Sequence, residues 1–215
     1  DVERSRGLGD VYKRQGQSQC KKRLNCPYHG WSYALDGELC GMPHAEAFPG
    51  IGLGEFPLRS VPCEVRHGLV WVQPGLSDAD GDIASWLGGI DDDFHSLRMD
   101  DLAVFRVARS TVHANWKLCI DAFLEAYHVK VLHRNSVGPF FEDGLAVFDR
   151  VQQHFRSGVA RKGVDLTDVE RVDMRTLRDR ISFTHFVFPN QIFVFHPDYV
   201  SQLSILPTAV DQFDW

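Results

Sequence analysis

Several short stretches of the chain alternate apolar and polar residues, and that period of two predicts strands. The segment "SVPCEVRHGLVWV" (60–72) alternates like the arms of a hairpin, and "GLVWVQP" (68–74) reads as a buried strand. Further strands are expected at 103–114 ("AVFRVARSTVHA"), 144–155 ("GLAVFDRVQQHF"), 182–189 ("SFTHFVFP"), 191–197 ("QIFVFHP") and 199–207 ("YVSQLSILP"). Pro189–Asn190 and Pro197–Asp198 mark turns between the last three. One stretch keeps a different period. Trp116, Ile120, Phe123 and Tyr127 recur every three or four residues, which predicts a helix from Trp116 to about Leu132 with one apolar face.

The order of these elements sets the expected organisation. Residues 16–75 combine short apolar runs with many glycines, prolines and aromatics, and read as a small all-β domain. Residues 76–101 are acidic and punctuated by glycine; a linker is expected there, with a short helical piece around Ile83 to Leu87. Residues 102–215 set one helix against an antiparallel sheet, so the fold class is α+β. Residues 1–15, "DVERSRGLGDVYKRQ", carry no hydrophobic pattern and are read as a non-native leader joined to the frame.

Composition narrows the class of function. The chain has 215 residues, of which 44% are hydrophobic, enough for a sizeable core in one or two domains. A net charge of −6 is the reverse of a nucleic-acid binder's basic footprint, and Lys21-Lys22-Arg23 reads as a solvated loop. No apolar run approaches the ~18 residues of a membrane span, and the first residues lack the apolar core of a secretory signal. Five cysteines, at 20, 26, 40, 63 and 119, are odd in number and irregularly spaced. That argues against a disulfide framework and for a reducing cytoplasm.

Two clusters carry candidate chemistry. In "NCPYHGWSYALDGEL" (25–39), Cys26 and His29 could be presented together by one tight loop, which Pro27 stiffens and Gly30 keeps open to close backbone approach. A thiolate beside an imidazole suits iron or zinc. The alternatives are a core cysteine with a loop histidine, or a zinc site built from Cys20, Cys26, His29 and a fourth ligand. The Cys20–Cys26 gap is wider than zinc loops usually have. In "NWKLCIDAFLEAYHVKVLHRNS" (115–136), Glu125 and His128 would share a helical face. His128 and His133 would not, because five residues rotate an α-helix by about 140°. They converge only if the helix ends or widens between them, with Val129, Val131 and Leu132 packed around. Unrelated histidines at a helix end are the plainer alternative.

The two stretches together resemble one family. "CPYHGWSYALDGEL" resembles the second ligand loop of a Rieske [2Fe–2S] domain. "NWK…FLEAYHVKVLH" resembles the mononuclear-iron motif of the Rieske non-haem iron oxygenases, the aromatic-ring-hydroxylating dioxygenase α (large) subunits. The resemblance covers about residues 16–215. It implies a partial all-β Rieske domain, followed by a partial helix-on-antiparallel-sheet catalytic domain of the helix-grip, START-like kind. Cys26 and His29 would be cluster ligands, with the family's first Cys-x-His pair missing upstream. His128 and His133 would hold a mononuclear Fe(II), and the third, carboxylate ligand would lie beyond Trp215 rather than at Asp198, Asp211 or Asp214. Glu125 would bridge electron transfer, hydrogen-bonded to His29 of a neighbouring subunit, although the family more often has Asp at that position.

The resemblance further implies a terminal oxygenase that uses O2 and electrons from NAD(P)H, delivered through a reductase or ferredoxin. The intact parent would be a homotrimer or α3β3 assembly, with no nucleic-acid or membrane partner. It would hydroxylate, dihydroxylate or demethylate a small organic substrate, with aromatic hydrocarbons the first expectation. Phe140, Phe141, Phe148, Phe186 and Phe193 are candidates to line the pocket. Glu142 among aromatics would suit a quaternary ammonium. An inactive fragment, a Rieske-derived electron carrier and a zinc-binding module are the other readings.

Overall fold

The computed structural model describes residues 22–73, 82–165, 167 and 173–215. The expectations for residues 1–15 and for Cys20 lie outside the described residues. Contacts divide the chain into two units, residues 1–65 with 70–80, and residues 66–69 with 81–215.

In the first unit, β1 (Leu24–Asn25), β2 (Ser32–Tyr33) and β3 (Leu39–Gly41) form an antiparallel sheet in that order. The expected hairpin is present as β4 (Cys63–Arg66) and β5 (Leu69–Val72). Its turn is His67-Gly68, with φ of 55° and 70°. Positive φ at both central residues is the type I′ geometry, whose twist matches that of the flanking strands. The hairpin tip, residues 66–69, counts with the second unit.

Of the acidic segment expected as a linker, residues 82–101 instead contribute helices and buried side chains to the second unit. Helix α1 (Ile83–Leu87) lies where expected and is capped by Asp82, which accepts the N–H groups of Ala84 and Ser85, both at 3.2 Å. A second helix, α2 (Gly89–Ser96), follows. Leu87, Ile90, Phe94 and Leu97 recur at helical spacing and are fully buried. Gly88-Gly89 and the run Asp91–Asp93 disguise that stripe in the sequence. The acids are not simply solvated. Asp91 takes a bidentate contact from Arg66 at 2.5 and 2.6 Å, and the ring N–H of His67 at 2.6 Å. Asp93 accepts from Arg156 at 2.8 Å and from His185 at 2.9 Å.

The partner of α2 is a five-stranded antiparallel sheet. Its strands are β7 (Phe141–Val151), β8 (His154–Arg161), β9 (Ile181–Val187), β10 (Gln191–Phe195) and β11 (Val200–Ser204), in the order β11-β10-β9-β8-β7. The register aligns Arg156, His185 and Phe193 on one face. There the Phe94 ring meets Phe193 at 5.0 Å and His185 at 5.6 Å. The next row, Phe155, Phe186 and Ile192, points the other way. It packs with Ile120 of α3 (Trp116–Phe123), Ile205 and Phe213. A smaller sheet, β12-β13-β6, is built from β12 (Leu206–Ala209), β13 (Gln212–Asp214) and β6 (Thr111–Val112). Two short helices, α4 (Val129–Leu132) and α5 (Met174–Leu177), complete the elements used below.

Several expectations need correction. The strand expected at 144–155 is the end of β7, a turn at Gln152 with φ 55°, and the start of β8. The strand at 199–207 divides into β11 and β12. Of 103–114, the strand is Thr111–Val112, extended by a reciprocal backbone pair of Ser110 with Trp215; Phe105 is 100% exposed, because alternation makes a strand only where a partner supplies the ladder. Phe193 does not share a face with Phe186, since odd spacing across the register puts them on opposite sides of the sheet.

Phe94→Ala should cost about 3–5 kcal/mol of stability, as large aromatic truncations in cores do, while Phe105→Ala should stay within about 0.5 kcal/mol. Urea unfolding of the two variants checks this. A second expectation concerns acid. The Arg66 guanidinium holds the Asp91 carboxyl at about 2 against an ordinary 3.8; burial opposes this, and His67 assists it. A depressed carboxyl contributes stability that is complete above its unfolded pKa and is lost as pH falls through the folded one. Asp91→Asn should therefore remove on the order of 1–2 kcal/mol near neutral pH. It should also flatten the wild-type loss between about pH 4 and pH 2, read from urea midpoints across that range.

Candidate metal centres

The first candidate centre sits in the loop from Cys26 to Trp31, between β1 and β2. The Cys26 N–H donates to the Trp31 carbonyl at 2.7 Å, and the Gly30 N–H to the Cys26 carbonyl at 2.8 Å. Below them the Ser32 hydroxyl donates to Asn25 Oδ1 at 2.8 Å. Gly30 has φ +73°, and a Cβ there would come within 3.1 Å of Pro43 Cγ, so both conformation and space call for glycine. The loop leaves the Cys26 thiol half-buried and His29 exposed near its apex, the ring 3.9 Å from Tyr28. A sulfur and a nitrogen donor from one short loop fit half of a mixed Cys/His cluster site.

The second candidate centre is made by a helix that stops. α3 starts at Asn115, whose side chain accepts the Lys117 N–H at 3.0 Å, and finishes at Leu124. The Glu125 carboxylate then turns back to accept the N–H groups of Tyr127 and of His128, the latter at 3.2 Å. Both donors precede α4, so the carboxylate fixes the loop between the two helices. α4 starts after His128 and ends at His133. The single helix expected over 116–132 is therefore two, and Glu125 and His128 share a capped loop rather than a helical face. Val131 and Leu132 are 69% and 71% exposed and do not pack around the histidines as expected.

This break does what a continuous helix cannot. The His128 and His133 rings stand with centroids 5.3 Å apart and planes at 67°. In each ring Nδ1 is engaged: that of His128 contacts Glu125 Oε1, and that of His133 lies 3.4 Å from the Ser136 hydroxyl. An ionised carboxylate can only accept, so Nδ1 of His128 is the donor in this contact, and in the neutral ring the lone pair is then on Nε2. With metal–nitrogen bonds of about 2.0–2.1 Å, two rings at this separation can share one ion. Burial would raise the Glu125 carboxyl, but the His128 ring and the two backbone N–H groups outweigh it and hold it below the usual range. Among the described residues no third Cys, His, Asp or Glu joins either pair.

Sequence reasoning overlooked Gly138. Its N–H donates to the His133 carbonyl at 2.9 Å, and a Cβ would stand 2.8 Å from that oxygen and 2.9 Å from the Val129 carbonyl. Nothing in the sequence but the glycine itself marked the position. Ser136 was overlooked as well; its spacing from His133 was the only available signal.

Residues 95–215 match the family model described as "Ring hydroxylating alpha subunit (catalytic domain)". The chain belongs to this family. Residues 9–62 of this ring-hydroxylating alpha-subunit chain match the "Rieske [2Fe-2S] domain" model. The glycine betaine monooxygenase oxygenase subunit of Chromohalobacter salexigens is 30% identical over 161 residues, which is 71% of this chain and 35% of that protein. Putrescine 2-hydroxylase of Bordetella bronchiseptica is 34% identical over 125 residues, 58% of this chain and 26% of that protein. A solved quaternary ammonium Rieske monooxygenase, CntA, superposes with a TM-score of 0.76 at 16% identity, covering 94% of this chain and 53% of that one. The chain thus spans about a third or less of the length of these curated relatives and about half of the solved chain. The α+β order, a Rieske domain followed by helices on antiparallel sheet, is that of the fold neighbours. No helix among the described residues is long and apolar enough to cross a membrane.

Gly138→Ala removes no donor atom, yet it should displace α4 and lower Co(II) affinity at least tenfold by parting His128 from His133. Calorimetric titration of the metal-free variant with Co(II) measures it.

Proposed function

We propose that this chain is part of the terminal oxygenase component of a Rieske non-haem iron system. It would act on a small organic substrate with O2 and with electrons from NAD(P)H, passed through a reductase or ferredoxin. The observation that carries the reading is the convergence of His128 and His133 across a broken helix, with Glu125 on the Nδ1 side of His128. In this reading, Cys26 and His29 supply one sulfur and one nitrogen ligand to a [2Fe–2S] cluster, and His128 and His133 two nitrogens to a mononuclear iron. The iron would supply the dioxygen chemistry and the cluster one electron at a time.

The chain's own residues perform the rest. Glu125, ionised, holds the proton of His128 at Nδ1 and so aims Nε2 at the metal position. It is 44% exposed, which leaves it within reach of a second donor such as His29 of another subunit in a homotrimer or α3β3 assembly. Gly138 and Ser136 hold His133 from behind. Electron transfer alone would not require the histidine pair.

Hydroxylation, dihydroxylation and demethylation all belong to this reading. The curated relatives are named for glycine betaine and putrescine, so the substrate class is wider than the aromatic hydrocarbons first expected. A ring compound is the finer alternative. It is supported by half-exposed Phe148, whose ring lies 5.9 Å from Phe155 on the sheet face that carries α3. A cytoplasmic location accords with the free thiols of Cys40, Cys63 and Cys119.

His128→Ala and His133→Ala should each weaken Co(II) binding by at least tenfold, and the two together should weaken it no more than additively in free energy. Glu125→Gln should weaken it less. Wild-type affinity in both single histidine variants would overturn the reading.

A further inference from the structure

We infer that Arg161 is the docking point for an anionic group of the substrate, a carboxylate or a sulfonate, on the sheet face that carries α3. The word substrate rests on the oxygenase reading above; the anion site itself does not.

β8 carries two arginines five residues apart, and the period of two sends them to opposite faces. Arg156 points toward α2 and is neutralised twice, by Asp93 at 2.8 Å and by Asp149 at 2.7 Å. Arg161 shares the other face with Phe155 and Val159. Among the described residues no carboxylate lies within ion-pair distance of it. Its guanidinium has one long hydrogen bond, Nη1 to Ser182 Oγ at 3.5 Å, and stands 5.9 Å from the Phe141 ring centroid. Nearby acids are engaged elsewhere: the Glu142 carboxylate accepts the Gly163 N–H at 2.9 Å, and Asp143 pairs with Lys130. A guanidinium has five donors in a planar fork. A partly buried one without a counter-ion is unfavourable by itself, and an aromatic face beside it fixes its plane for bidentate contact with an incoming anion. Its field reaches the surroundings. His196, stacked on Tyr199 at 4.3 Å, has its pKa lowered first by burial and next by Arg161.

The position suits the candidate iron site. Gly138 bonds to the His133 carbonyl, a single 3-10 turn covers Gly138–Phe140, and Phe141 then pairs with Arg161 across the sheet. A 3-10 turn rises about 2 Å per residue and paired strands lie about 5 Å apart, so the backbones of His133 and Arg161 are at most about 15 Å apart. The long arginine side chain covers part of that gap. Phe141, Val159 and Phe148 offer apolar contact on the same face. The ligand class is an organic anion with an apolar body between its charged head and its reacting carbon.

The test titrates the metal-free 215-residue chain with benzoate, benzenesulfonate and uncharged benzamide, following arginine side-chain and aromatic NMR signals. The inference expects the anions to bind at least tenfold more tightly than benzamide and to shift the Arg161 Nε–H. Arg161→Gln should lose at least tenfold in anion affinity; Arg161→Lys, which keeps the charge but not the fork, should fall between. Thermal midpoints of both variants verify folding, and Arg161→Lys carries the test if Arg161→Gln does not fold. Equal binding of benzoate and benzamide, no benzoate binding, or wild-type affinity in the variants would overturn the inference. The same titration on His128→Ala separates the two ideas. Anion binding that survives while Co(II) binding fails in every form counts against the oxygenase reading alone.

Discussion

The five-stranded sheet has two unlike faces, and every placement in the second unit depends on that difference. Strand pleating sends successive side chains to opposite sides. On one side this assembles Arg156, His185 and Phe193 under α2, where a buried aromatic is flanked by two carboxylates that are themselves held by arginine and histidine. On the other side it assembles Phe155, Phe186 and Ile192 under α3, an apolar contact with Ile120 at its centre. The charged side is specific because Asp93 has few partners that would satisfy it. Burial alone would raise its carboxyl, yet hydrogen bonds from His185 and Arg156 bring it below the usual range.

With the sheet in place, α3 is anchored at its N-terminal end and free to stop after Phe123. Stopping matters more than the helix itself. The carboxylate of Glu125 has three contacts in one loop: it accepts the N–H groups of Tyr127 and His128 just before α4, and it meets Nδ1 of the His128 ring, which as an ionised carboxylate it favours as the protonated nitrogen. A single side chain thus couples backbone geometry to ligand tautomer. Gly138 completes the arrangement through absence of bulk, letting the chain fold back onto the His133 carbonyl before it enters β7. The same chain path that holds the histidines leads within a few residues to Phe141, which pairs with Arg161 across the sheet, so the candidate donor pair and an arginine with no carboxylate partner among the described residues share one local framework.

Legibility in the sequence varied with the kind of signal. The hairpin at 63–72 was readable from its alternation, and strands β9 and β10 from alternation and the turns at Pro189–Asn190 and Pro197–Asp198; the structure adds the His67-Gly68 turn and the Asp82 cap of α1. The residues of both candidate centres were readable as residue types at unusual spacings. α2 was missed because three consecutive aspartates resemble a solvated face until Arg66, Arg156 and two histidines are brought to them from as far as residue 185. The segment 103–109 was overread, since its alternation meets no partner strand among the described residues.

The sequence by itself singled out the candidate donors, the need for a break if His128 and His133 are to converge, and the α+β order of elements. These follow from local rules: helix rotation, strand period and turn chemistry act over a few residues. Only the tertiary structure decided that the break is a capped end rather than a widened turn. It also decided that Asp91 and Asp93 are structural anchors, and that Arg156 is neutralised while Arg161 on the same strand meets no carboxylate among the described residues. Those outcomes depend on which distant groups meet, and the free energy of a charge is set by its neighbours in space, not along the chain.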